Sequence, residues 1–109
     1  MSGKEYTVVE EVDLSQPFSD QYGKGFYVKE TWYQGPIIHR RFGPAITLRH
    51  PSTLIPIREE FIQEGQIHRY GGPAVIDRDP HTGEVTSERY FEHGREVDLR
   101  SRFPQNDIG

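Results

Sequence analysis

The chain has no cysteine, one methionine and only two alanines among its 109 residues. The missing cysteine removes disulfide scaffolds, thiol nucleophiles and thiolate metal sites together. Ala, Leu and Met total just 7, which argues against helix bundles, coiled coils and doubly wound folds. Long apolar runs are absent too, and none approaches the roughly 18 residues that a membrane-spanning helix needs. No block of one charge sign exceeds a few residues, and the net charge is −4. Bulk attraction to a phosphate backbone is therefore not expected, and no nucleic-acid partner is assigned. The opening Met-Ser-Gly-Lys-Glu-Tyr lacks an apolar signal core, so a cytoplasmic location is the expectation.

What the chain does have is strand-forming. Val and Ile number 16, aromatic residues 13 and Thr 6. A chain of this length makes one domain at most, with a modest core.

A repeat organises it. Residues 30–58 align with 59–87 at an offset of 29 without a gap, and eleven positions are identical. They are Glu30/Glu59, Gln34/Gln63, Ile38/Ile67, His39/His68, Arg40/Arg69, Gly43/Gly72, Pro44/Pro73, Ala45/Ala74, Arg49/Arg78, Pro51/Pro80 and Thr53/Thr82. Composition alone would give about two. A partial third copy, 88–100, places Tyr90 under Phe61 and Trp32, and Phe91 under Ile62 and Tyr33. Residues 56–65 alone have a proline start and a glycine stop that fit a short helix, but their aromatic relatives in the other copies require a strand.

Each unit therefore reads as strand, tight turn, strand, loop, strand, turn. The tight turns are Glu64-Gly65 and His93-Gly94, where glycine supplies a positive φ. Copy one has Gly35-Pro36 there and must either change turn type or shift by one residue. Gly43-Pro44-Ala45 and Gly72-Pro73-Ala74 form the loop, read as a bulge or corner whose alanine leaves room only for a methyl group. The closing turn Asp79-Pro-His-Thr-Gly83 is loosely matched by His50-Pro-Ser-Thr53. Residues 1–29 are expected to cap the array with strands near 5–12 and 25–33, and 101–109 to form a flexible tail.

The strings Ile38-His39-Arg40…Gly43-Pro44-Ala45 and Ile67-His68-Arg69…Gly72-Pro73-Ala74, each preceded by aromatic strand residues and a glycine turn, resemble the bacterial and phage repeats described as MORN variants. The resemblance covers residues 30–100. It implies a layered antiparallel β-meander of hairpins and a scaffolding or partner-binding role, with lipid contacts in some proteins of this type. Occurrence in phages and mobile elements adds a small inhibitor or accessory protein as a possible role. The third copy departs at Glu96-Val97-Asp98, where the His-Arg pair is missing and no Gly-Pro-Ala follows.

Three sets of residues compete for function. His39 and His68 are expected to be structural, fixing a turn by bonding backbone carbonyls beside Gly-Pro-Ala. The alternative is a metal site, or a metal-dependent hydrolase, completed by His50, His81 or Asp79. Arg40 and Arg69 are expected to form an ion-pair ladder with Glu30, Glu59 and Glu88, or else a recognition stripe. Trp32, Phe61 and Tyr90 form one aromatic column and Tyr33, Ile62 and Phe91 another, on opposite faces of the sheet. One column is core; the other is covered by the terminal segments or left for a partner.

Catalysis finds little support. No serine has a nucleophile-elbow context, Gly23-Lys24-Gly25 lacks a following helix, and Glu10-Glu11 and Glu59-Glu60 alternate faces. The expectation is an all-β antiparallel meander of two full units and one partial unit with an N-terminal cap. Its expected role is noncatalytic protein binding or scaffolding, with no cofactor and with self-association as a homodimer. Contact residues are Trp32, Tyr33, Arg40, Phe61, Arg69 and Tyr90; His39, Gly43, Pro44, Ala45, His68, Gly72, Pro73 and Ala74 build the repeat.

Overall fold

In the computed structural model, which describes residues 4–13 and 26–98, every regular element is a β-strand. They are β1 (Glu5–Asp13), β2 (Phe26–Gln34), β3 (Ile37–Ile38), β4 (Ile46–Arg49), β5 (Pro56–Glu60), β6 (Ile62–Gln63), β7 (Gln66–Ile67), β8 (Val75–Arg78), β9 (Val85–Glu92) and β10 (Arg95–Val97). The main sheet runs β1-β2-β4-β5-β8-β9-β10, with β3 on β2, and β6-β7 form a separate two-stranded sheet. All pairings are antiparallel. The two N-terminal strands stand within a residue of their expected limits. The expected loop before β2 and the tail 101–109 lie outside the described residues.

Each unit is a forked ladder. The first half of β2 pairs with β4, while Tyr33 and Gln34 pair with β3. Copy two divides the same strand at Phe61, so that β5 joins β8 and β6 joins β7. In copy three β9 is continuous again, pairing with β8 and then β10. All three hairpins close over two residues in the same register, as Gln34↔Ile37, Gln63↔Gln66 and Glu92↔Arg95. Glu64 and Gly65 both have positive φ, as do His93 and Gly94, which gives type I′ turns. At Gly35-Pro36 only the glycine does (φ 60°), and proline fixes the second φ as negative, which gives type II′. Copy one thus changes turn type and keeps its register.

The described residues form two small apolar clusters. Tyr27, Leu48 and Ile57 pack with Val12; Ala74, Val75 and Phe91 pack with Phe61 and Ile67. A register shift between Leu48↔Arg58 and Arg49↔Pro56 leaves Ile57 with no opposite residue, and it turns into the first cluster with 0% of its surface exposed. The equivalent shift in copy two leaves Thr86 unopposed. Ala45 and Ala74 are also at 0% exposure, each bridging two strands: Ala45 C=O accepts from Trp32 N–H, and Ala45 N–H donates to Glu60 C=O, both at 2.8 Å. A larger side chain there has no space.

The closing turns are closer relatives than their sequences. Asp79 Oδ1 accepts from the N–H groups of His81 (2.7 Å) and Thr82 (3.1 Å); His50 Nδ1 accepts from Ser52 (3.1 Å) and Thr53 (3.4 Å). An imidazole does the work of a carboxylate. The Asp79 carboxyl is held below its ordinary value chiefly by the backbone donors of His81 and Thr82. The turn ends at Gly83 (φ 81°) in copy two but at Leu54 (φ 63°) in copy one, and Leu54 is an exposed branched side chain in the left-handed region. Leu54→Gly is therefore expected to raise stability by about 1 kcal/mol, read as an increased denaturation midpoint with an unchanged slope.

Candidate functional site

The repeated His-Arg-x-x-Gly-Pro string builds a clamp that is the same in both full copies. Arg40 lies flat over Trp32, with Cζ 3.8 Å from the ring centroid, and Arg69 lies over Phe61 at 3.9 Å. Their Nη1 groups donate to Pro44 C=O (3.2 Å) and Pro73 C=O (3.1 Å). The glycine closes the other side: a Cβ on Gly43 would fall 2.9 Å from Arg40 Cζ, and one on Gly72 3.1 Å from Arg69 Cζ. Each guanidinium is thus sandwiched between an aromatic ring and a bare backbone. Backbone freedom is not the shared reason for the glycine. Gly43 has φ 111°, but in copy two the positive φ has moved to Gly71.

The histidine of each clamp joins units. His39 Nδ1 accepts from Glu64 N–H at 2.8 Å, and His68 Nδ1 from His93 N–H at 3.1 Å. Beside them Ile38 C=O accepts from Gly65 N–H and Ile67 C=O from Gly94 N–H. The imidazoles do fix a turn, but it is the hairpin tip of the following unit, reached through backbone N–H groups rather than carbonyls beside Gly-Pro-Ala. Accepting at Nδ1 puts the proton of the neutral ring on Nε2. Among the described residues no three His, Asp or Glu side chains converge on a metal-sized space.

The expected ladder of Arg40 and Arg69 with the repeat glutamates has other partners. Glu30 pairs with Arg49 (3.3 Å) and Glu59 with Arg78 (2.9 Å). The same two arginines also donate to the C=O groups of Leu54 and Gly83, tying the ladder to the closing turns. Arg40 and Arg69 are instead drawn onto the aromatic rings, because the Gly-Pro loop folds back over the strand that carries them. Copy two adds Arg58–Asp77 at 2.8 Å with Asp77 buried.

The aromatic columns separate by environment. Ile62 and Phe91 are buried, and Tyr33 stacks on Tyr6 at 5.1 Å. Trp32 and Phe61 are half-buried, and the arginine of their own unit lies over each ring. Tyr90 is half-buried as well, and position 98 carries Asp where its arginine would stand. Arg89 instead forms a two-bonded pair with Glu96, which lowers the carboxyl of Glu96 below its usual range.

The most exposed large apolar groups sit in the gap of the repeated string. Phe42 is 77% exposed and Tyr70 86%. Each full copy keeps one aromatic between its Arg and its Gly-Pro, at adjacent rather than identical positions, so an alignment of identities passes over both. Arg41, Phe42, Arg40, Trp32 and Glu5 line an open cleft beside the first clamp. No helix among the described residues is long and apolar enough to cross a membrane. No protein-family model, curated protein or solved structure matches the chain.

Proposed function

We propose that the chain is a noncatalytic protein-binding module of MORN-like hairpin units, with its partner docking on the loops that carry Phe42 and Tyr70. The observation that carries this reading is the division of labour within the repeated string. Its identical residues are spent on clamps and unit junctions, whereas its variable gap holds an almost fully exposed aromatic in each copy. Aromatic side chains presented this way bring large contact area at small entropic cost, which is how interface anchors work. The cleft of Glu5, Trp32, Arg40, Arg41 and Phe42 supplies the polar rim and brings two of the sequence-derived contact residues to the same place. A cytoplasmic accessory or inhibitory protein of bacterial or phage origin fits such a surface.

The test compares the native chain with a Phe42→Ser/Tyr70→Ser variant as bait in lysate of the source cells. Proteins retained by the first and lost by the second, with matching circular dichroism and melting temperature, support the reading. Identical capture profiles sink it.

A further inference from the structure

We infer that β1 is a homotypic docking edge, pairing antiparallel with β1 of a second copy about a two-fold axis through Thr7. No described strand covers the outer side of β1, although it is nine residues long and pairs without a bulge along all of β2. Its middle, Tyr6-Thr7-Val8-Val9, is uncharged, and Tyr6, Val8 and Val9 are all exposed, Val9 to 65%. Open edges of this length are ordinarily shortened, bulged or covered.

The backbone phase fixes which residues can pair. Lys4 C=O accepts from Gly35 N–H, in step with the β1–β2 register, so Lys4 is a residue whose polar backbone groups face β2. Hydrogen-bonded and non-bonded positions alternate along an antiparallel strand. Tyr6, Val8 and Glu10 therefore also face inward, and Glu5, Thr7 and Val9 present N–H and C=O outward. A two-fold axis through Thr7 uses these three, while Glu11 and Asp13, which face outward by the same alternation, lie beyond the paired segment. Thr7 exchanges bonds with its own copy, and Glu5 and Val9 exchange them with Val9 and Glu5 of the other chain.

Charge then disfavours the registers centred farther along the strand. The axis through Thr7 sets Lys4 against Glu10 twice and Tyr6 against Val8 twice, with no like charges opposed. An axis through Val8 sets Glu5 against Glu11 twice. One through Val9 leaves Lys4 outside the paired segment and sets Val8 and Thr7 against glutamates. Directly opposed residues share a face and interact at about 0.2–1 kcal/mol per pair, repulsively for like charges. The segment Lys4-Glu-Tyr-Thr-Val-Val-Glu10 is thus complementary to itself in reverse. This edge is separate from the loops that carry Phe42 and Tyr70, although its Glu5 also lines the cleft beside Phe42.

Sedimentation of the full chain across the micromolar range is expected to show a monomer–dimer equilibrium. Lys4→Glu should weaken it roughly fivefold to tenfold through two symmetry-related repulsions. Glu10 also lies opposite Lys29 of its own β2, so the informative comparison is Glu10→Lys with and without Lys4→Glu. The double exchange should dimerise more tightly than either single variant. Because the chain has no cysteine, Thr7→Cys should give a covalent dimer on mild oxidation, whereas Val9→Cys should not. A monomer at every concentration, faster crosslinking through Val9→Cys, or a double exchange no tighter than its parents overturns the inference.

Discussion

Replacing Ile57 by alanine is expected to lower stability by about 2–5 kcal/mol, a large part of the roughly 5–15 kcal/mol that a small domain has. Ile57 is fully enclosed, and among the described residues its cluster has three buried members and one partly buried neighbour, so few of these groups can move to refill the space. The loss is also expected to be local. The second cluster shares no residue with the first, and in a chain of stacked units each one leans chiefly on its neighbours. Amide exchange should therefore accelerate in β2, β4 and β5 while β9 and β10 keep most of their protection. Equal acceleration in all strands would mean that the two clusters melt as one unit.

The second large effect is a pair of substitutions whose costs should not add. Gly72→Ala brings a methyl group to 3.1 Å from Arg69 Cζ, so the guanidinium must give by a few tenths of an ångström where it lies over Phe61, at a cost of about 1 kcal/mol. Arg69→Ala alone removes the stack on Phe61 and the bond to Pro73 C=O, at about 1–2 kcal/mol. With both changes the methyl meets open space, and the double variant should be no less stable than Arg69→Ala. A coupling of about 1 kcal/mol or more would result. The same cycle at Gly43 and Arg40 should rescue incompletely, because the φ of 111° penalises alanine whether or not the arginine is present. Denaturant midpoints for the seven proteins settle both cycles; simple additivity at position 72 would mean that the glycine is there for another reason.

Much of the fold was legible because the sequence is written twice. The repeat overruled a plausible helix over 56–65, placed the hairpin tips and gave the antiparallel meander, since identity at a fixed offset reports a shared environment. The partners of Arg40 and Arg69 were not legible. Alternation on a strand puts charges on a common face, but the Gly-Pro loop carries these arginines away from their expected positions and over a ring. The closing turns at His50 and Asp79 were matched only loosely in the sequence, because what they share is an acceptor atom and not a residue type. Phe42 and Tyr70 were missed for the opposite reason. They vary, and identity across copies reveals scaffold better than it reveals surface.

The His–hairpin junction gives the array a direction, as a growing polymer has. Ile38-His39 and Ile67-His68 each offer a carbonyl and an imidazole acceptor to the next hairpin tip, and each tip answers with two N–H groups. The third unit has Val97 and Asp98 at the positions of that histidine and arginine, so it lacks the side chains from which the same junction is built. A chain with Val97→His and Asp98→Arg, followed by a further 29-residue unit, should extend the stack by one layer without altering those before it.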